Sequence, residues 1–296
     1  MGDHDRLAER FEAHRGHLRA VAYRMLGSLS EADDAVQEAW LRLSRADTDG
    51  IQNLAGWLTR VVARVCLDML RARTARREEP LGLQPHGAIV DGQGRRDPER
   101  EALLAEEVGL ALLVVLDRLA PAERAAFVLH DLFDVPFDTI APIVERSPTA
   151  TKKLASRARH RVHGSATSPG TSIDRAQQRQ VVDTFLAATR GGDITALLAV
   201  LDPDVVRRAD RAALPADAAT ELRGAQAVAE ETRGNARRAR FAQVALVNGA
   251  VGLIVGPRGR LVVAIGLTIK GGKITEIDVI ADPQRLRQLD LAVLAS

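Results

Sequence analysis

Apolar residues recur at helical spacing through the first half of the chain and at strand spacing near its end. From Arg6 to Met25 the positions Phe11, Leu18, Val21 and Met25 fall on one side of a helix that Gly27 terminates. Ser30-Glu31-Ala32-Asp33 has a capping-box pattern and predicts a second helix to about Ser44, with Ala35, Val36, Ala39 and Leu43 inward. A polar loop, Arg45 to Gln52, separates it from a long helix over Leu54–Arg77. A second helical block runs from Glu99 to His163. Within it, Leu119–Val162 reads as two short amphipathic helices about a turn. From Arg175 the pattern changes. Helices are predicted over Gln177–Thr189, Ile194–Leu201 and near Ala225–Glu231. Four runs rich in Val, Ile and Leu follow: Ala242–Val247, Val251–Val255, Leu261–Ile269 and Ile274–Ile280. Asn248-Gly249, Pro257-Arg258-Gly259 and Gly271-Gly272 separate them and signal hairpins.

These patterns predict a multidomain chain. Two all-α domains, residues 1–77 and 99–163, precede an α+β domain over 175–296 with a curved sheet against helices. Residues 78–98 hold three prolines and four glycines and read as a linker; residues 164–174 read as a second. Both tryptophans, the one tyrosine, the one cysteine and all seven histidines precede residue 164, so the two parts carry different chemistry.

The most informative chemistry lies at the end of the second helical block. Ser147 is a good N-cap and Pro148 suits the first helical position. Leu154, Ala158 and Val162 are predicted to face inward. Thr149, Lys152, Lys153, Ser156 and His160 then fall on the other side, flanked by Arg157 and Arg159. No acid occurs between Arg146 and His163. Cations for phosphates and short polar groups for base edges are what a helix in a DNA major groove needs. The alternative is a basic packing helix with a solvated face.

Two further helices have distinctive faces. On the helix around Asp33–Arg42, the positions Asp34, Gln37, Glu38 and Leu41 lie outside beside Trp40. A polar rim around an apolar anchor suits a protein interface; an ordinary solvated face with Trp40 buried fits the same spacing. The Leu54–Arg77 helix carries Arg60, Arg64, Arg71, Arg73, Arg76 and Arg77 against one acid, Asp68. Arg60, Arg64 and Arg71 share a face, and Trp57 near the helix start suits stacking on unpaired bases. Neutralisation by acids elsewhere is the competing reading.

Composition narrows the choices. The formal net charge is only +2 over 296 residues, so basicity is local rather than global. Cys66 is the sole cysteine, which excludes an internal disulfide and a paired-cysteine metal site and fits a reducing cytoplasm. The charged N-terminus does not read as a secretory signal, and no run approaches the roughly 20 apolar residues that span a bilayer. Arg175–Ser296 contains no His, Tyr, Cys or Trp. Its acids Asp202, Asp204 and Asp278 suit turn and surface roles, so neither catalysis nor a cofactor or metal is expected.

The order of these blocks resembles bacterial RNA polymerase sigma factors of the extracytoplasmic-function type. FEAHRGHLRAVAYRMLGSLSEADDAVQEAWLRL and GWLTRVVARVCLDMLRARTARRE are similar to their first conserved domain. LAPAERAAFVLHDLFDVPFDTIA and RSPTATKKLASRARHRV are similar to their second. The C-terminal extension resembles the SnoaL-like, or NTF2-like, domain of one subgroup. The resemblance implies core RNA polymerase and promoter DNA as partners, with no membrane. It implies that Asp34, Gln37, Glu38, Trp40 and Leu41 dock on the polymerase clamp. It implies that the loop Arg45–Asn53, with Arg60, Arg64 and Arg71, captures the melted minus-ten element. It further implies that Thr149, Thr151, Lys152, Lys153, Ser156 and Arg157 engage the minus-thirty-five duplex.

The chain departs from the family in several places. Pro142 lies within the first helix of the helix-turn-helix, and Glu145 stands where the family usually has glycine in the turn. Leu81-Gly82-Leu83-Gln84-Pro85, Asp210-Arg211-Ala212-Ala213-Leu214 and Asp282-Pro283-Gln284-Arg285-Leu286 replace or only partly match subgroup motifs. An anti-sigma partner and a small ligand both remain open. The rival readings are a helix-turn-helix regulator acting without polymerase and an NTF2-like enzyme fused to a DNA-binding module.

Overall fold

The computed structural model describes residues 3–46, 50–78, 109–164 and 172–294. They fall into two compact units, one within residues 1–96 and 116–160, the other within 97–115 and 161–296.

The first unit begins with three helices: α1 (Asp3–Leu26), α2 (Leu29–Leu43) and α3 (Leu54–Glu78). The expected stripe Phe11, Leu18, Val21 and Met25 is buried, as are Ala35, Val36, Ala39 and Leu43 on α2. Leu58, Val62, Val65 and Leu70 complete the packing from α3. Gly27 turns the chain at φ 74. The N-cap of α2 is Ser28, facing the amide of Glu31, rather than the expected Ser30. The Arg19 guanidinium grips Asp33 at 2.6 and 3.1 Å, tying α1 to α2.

Later in the chain lie α4 (Leu110–Leu116), α5 (Pro121–Phe127), a wide π-type turn at Val128–Leu132, α6 (Phe137–Val144) and α7 (Pro148–His163). The helix-turn-helix is formed by α6 and α7. Pro142 sits inside α6 on its exposed side and the helix still reaches Val144. The buried stripe of α7 is Thr151, Ala155, Ala158 and Val162; Leu154, expected inside, is only half-buried. Small side chains there let α7 pack closely.

The second unit is α+β. It contains α8 (Ser172–Gly191), α9 (Ile194–Val200), β1 (Leu201–Ala209), β2 (Glu221–Arg223), α10 (Ala225–Arg233) and α11 (Ala236–Ala239). β3 (Ala242–Val247), β4 (Ala250–Val255), β5 (Val263–Lys270), β6 (Lys273–Ile280), α12 (Pro283–Gln288) and β7 (Leu291–Ala292) follow. The seven strands run in the order β2-β1-β6-β5-β4-β3-β7. Only the β1–β6 pairing is parallel. Asn248-Gly249 (φ 52 and 81) and Gly271-Gly272 (φ 56 and 76) make tight hairpins, as expected, because two consecutive positive φ values suit these residues. Val182, Phe185 and Leu186 of α8 pack on Leu246, Leu253 and Leu267 of the sheet.

Residues 110–115 belong to this second unit, although the sequence pattern groups them with the helix-turn-helix block. The Ala111 amide donates to Gln243 Oε1 at 2.8 Å, and a Cβ at Gly256 would lie 2.4 Å from Val114 Cγ2. Two charged clusters brace the unit. Arg207, nearly buried on β1, pairs with Glu231 and donates to the carbonyls of Ala219 and Thr220 at 3.1 and 3.2 Å. Asp210 accepts the amides of Ala281 and Asp282 at 3.0 and 2.9 Å and pairs with Arg285. Burial pushes the Asp210 carboxyl up, but those amides and Arg285 more than offset this and hold it below its ordinary value.

Candidate nucleic-acid interface

The helix-turn-helix presents α7 as the sequence led one to expect at its start. Ser147 Oγ accepts the Ala150 amide at 3.2 Å, and Pro148 occupies the first turn. Thr149, Lys152, Lys153, Ser156 and Arg157 are exposed. Among the described residues Lys152 and Lys153 have no carboxylate partner, so both ammonium groups are available to an external anion. Arg157 Nε donates to Glu123 at 3.0 Å while its side chain stays 59% exposed. Arg159 pairs with Asp131 at 2.6 Å. Thr151 is a correction: it is fully buried, and its hydroxyl donates to the Ser147 carbonyl at 2.9 Å. It holds α7 in the core and does not reach a ligand on the outer face.

The turn itself carries backbone strain. Glu145 adopts a left-handed conformation (φ 58, ψ 47), which an L side chain adopts at a cost of about 1–2 kcal/mol. Its amide and that of Arg146 both return to the Ala141 carbonyl, closing α6.

On α3, Arg60, Arg64 and Arg71 are exposed and lie four and seven residues apart along one side, as expected. Arg64 Nη2 donates to Glu145 Oε1 at 3.1 Å, and Arg71 Nη2 lies 3.6 Å from Glu145 Oε2. Arg71 also lies 3.7 Å from Asp68. Of the loop Arg45–Asn53, residues 47–49 lie outside the described residues. Asn53 Oδ1 accepts the Gly56 amide at 2.9 Å and so starts α3, and Trp57 is half-buried just beyond.

The face of α2 is assembled as its spacing predicts. Asp34, Gln37 and Leu41 are exposed, and Leu41, at 38%, is a large apolar side chain facing solvent. Glu38 is half-buried and pairs with Arg42 at 3.0 Å. Trp40 is half-buried against Phe11, ring centroids 5.1 Å apart. Ala8, Phe11, Glu12, Arg15, Gln37 and Trp40 line a shallow notch between α1 and α2.

A buried charge network escaped the sequence reading. Arg124 is 2% exposed and lies 3.6 Å from Asp117. Burial pulls its pKa down to about 10, against the opposing pull of Asp117. Arg73 joins the network through Glu31 at 2.5 Å, the Leu26 carbonyl at 3.3 Å and Asp117 at 3.9 Å. No local pattern marks Asp117 or Arg124, because their partners are distant in sequence. Burial also pushes the Cys66 thiol up to about 12, so it is protonated and inert at neutral pH. Among the described residues no group of three or more His, Cys, Asp and Glu could hold a metal ion. No helix among them is long and apolar enough to cross a membrane.

The chain is similar to known proteins over most of its length. Residues 10–76 match the family model for sigma-70 region 2, and residues 109–162 match that for sigma-70 region 4. The chain is 36% identical over 293 residues, 98% of both chains, to the "probable ECF RNA polymerase sigma factor SigI" of Mycobacterium tuberculosis. It is 37% identical to the ECF RNA polymerase sigma factor SigJ of the same organism, over 93% of this chain and 91% of that one. The crystal structure of that organism's SigJ covers 94% of this chain and 98% of its own, at 34% identity and a TM-score of 0.45.

Proposed function

Because the chain belongs to the extracytoplasmic-function RNA polymerase sigma factors, we propose how its named residues divide the work of directing promoter recognition. The family is not enzymatic; its task is to bind core polymerase and promoter DNA. Asp34, Gln37, Glu38, Trp40 and Leu41 dock on core polymerase, with Leu41 and the notch beside Trp40 as the apolar centre of a polar rim. Arg60, Arg64 and Arg71 hold the backbone of the melted minus-ten strand, and the loop before α3 takes an unpaired base. Thr149, Lys152, Lys153, Ser156 and Arg157 engage the minus-thirty-five duplex. The observation that carries this reading is the pair of unpartnered lysines on the outer face of a capped second helix in a helix-turn-helix.

The two DNA elements are about 25 base pairs apart, or about 85 Å along a duplex. In the first unit, Arg64 of α3 and Glu145 of the helix-turn-helix touch at 3.1 Å. One compact unit therefore does not serve both elements together, and its two parts separate on the promoter. The thirty residues 79–108 lie between α3 and α4 in sequence and reach at most about 100 Å. The C-terminal α+β unit acts as a non-catalytic regulator that biases the placement of the other two parts, and the protein works in the cytoplasm. A partner or ligand switches that bias only by binding the two arrangements unequally.

The docking assignment is tested with Glu38→Arg combined with Leu41→Ala. Leu41 is exposed and Glu38 gives up only a solvent-facing pair with Arg42, worth about 1 kcal/mol or less, so helicity should be retained while affinity for core polymerase falls at least tenfold, about 1.4 kcal/mol. Unchanged core affinity in a folded double variant contradicts the assignment.

A further inference from the structure

We propose that the Glu145 carboxylate is an internal competitor for promoter phosphate on Arg64 and Arg71, so that the turn of the helix-turn-helix holds the minus-ten face closed until DNA displaces it. The inference rests on the reading that these two arginines take DNA phosphates, and it adds how that face is regulated. Three observations converge. Each carboxylate oxygen faces a different guanidinium, Oε1 toward Arg64 at 3.1 Å and Oε2 toward Arg71 at 3.6 Å. A single anion thus bridges two cations one face apart on α3, which is the arrangement a phosphodiester would take. The residue supplying that anion lies 81 positions from Arg64 in sequence, at a backbone position (φ 58) that disfavours any side chain beyond glycine. Both ends of the bridge are about half-exposed, with side-chain exposures of 53%, 41% and 51% for Arg64, Arg71 and Glu145. Water and salt screen such a bridge, so it is weak enough for a polyanion to replace.

The strength of the bridge sets its purpose. A solvent-exposed pair is worth little, so Glu145 does not lock the unit. It raises the threshold for DNA, and the larger buried network of Arg73, Arg124, Asp117 and Glu31 holds the unit together. Competition of this kind is reciprocal: whatever anion occupies Arg64 and Arg71 releases the turn to the same extent.

The experiment measures binding of the full-length chain, without polymerase, to a fluorescently labelled 20-nucleotide single-stranded DNA of mixed sequence at low salt. Four proteins are compared: the native chain, Glu145→Gln, the double variant Arg64→Ala with Arg71→Ala, and the triple variant. Glutamine keeps the shape and removes the charge, and circular dichroism verifies that each protein folds. We expect Glu145→Gln to tighten binding about two- to fivefold, the double variant to weaken it, and the glutamine effect to vanish in the triple variant. No tightening by Glu145→Gln, while the double variant still weakens binding, overturns the competition and leaves the DNA-binding reading standing. A glutamine effect of equal size in the triple variant also overturns it, because the gain then comes from general charge. A double variant that binds like the native chain removes the DNA-binding reading itself.

Discussion

Helices α3 and α7 are both basic, α3 through arginines alone and α7 through arginines and two lysines, and both turn a cationic face outward, yet their cations meet different partners. On α3 most of the acids that answer them come from far away in the chain, Glu145 for Arg64 and Arg71, and Glu31 and Asp117 for Arg73; Asp68, three residues from Arg71, is the local one. On α7 the arginines near its C-terminal half are answered within the helix-turn-helix block, Arg157 by Glu123 and Arg159 by Asp131. The lysines of its first turns have no carboxylate partner among the described residues. Basic composition therefore marks where a polyanion could bind, and only the placement of acids decides which cations are ready for it. Lys152 and Lys153 on α7 are open as they stand, whereas Arg64 and Arg71 on α3 are already paired.

The strongest way to break this contrast lies at the cation that is purely structural. Arg124 is buried against Asp117, and removing one partner of a buried pair leaves the other charge uncompensated. Arg124→Ala should lower stability by about 3–5 kcal/mol in denaturant unfolding. A loss below about 1 kcal/mol would mean that the network does not organise the unit. A mid-sized effect is expected on α7. If Lys152 and Lys153 both reach phosphates, changing both to Ala should reduce the salt slope of duplex binding by about two, roughly a thirtyfold loss near 0.15 M salt. Stability should barely change, since both side chains are exposed. The smallest effect belongs to Thr151. Thr151→Val deletes a hydroxyl bonded to the Ser147 carbonyl and should cost about 0.5–1.5 kcal/mol of stability with DNA affinity unchanged. Weaker DNA binding by a fully folded Thr151→Val chain would restore that residue to the duplex-engaging set.

Local signals made much of this legible in the sequence. Ser147-Pro148 announced α7, and Asn248-Gly249 and Gly271-Gly272 announced two hairpins, because each dipeptide fits a particular backbone geometry. The stripe of α1 follows from large apolar residues at regular spacing. What escaped depends on non-local contacts. β1 contains Asp202-Pro203-Asp204 just after its first residue and Arg207-Arg208 near its end, so it shows no clean alternation. Its strand pairing tolerates the proline at an irregularity between Leu201 and Val206, and its buried arginine is satisfied by Glu231. β2 and β7 are too short, at three and two residues, to leave a periodic trace. On α7 the buried line runs through Thr151 and Ala155, small residues that a search for large apolar side chains passes over in favour of Leu154. Glu145 could be noticed as an unusual residue in a turn, but its distant partners Arg64 and Arg71 could not.

We propose that one chain links core polymerase, through its α2 face, to promoter DNA, through its α3 and α7 faces. Transcription in vitro tests it most directly, with core polymerase, sheared genomic DNA of the encoding organism and sequencing of transcript 5′ ends. The native chain should produce initiation at discrete sites that core polymerase alone does not use. Those sites should fade with Glu38→Arg and Leu41→Ala through lost core binding, and with Lys152→Ala and Lys153→Ala while core binding persists. Discrete initiation that survives both pairs of substitutions, or transcripts identical to those of core polymerase alone, would contradict the account.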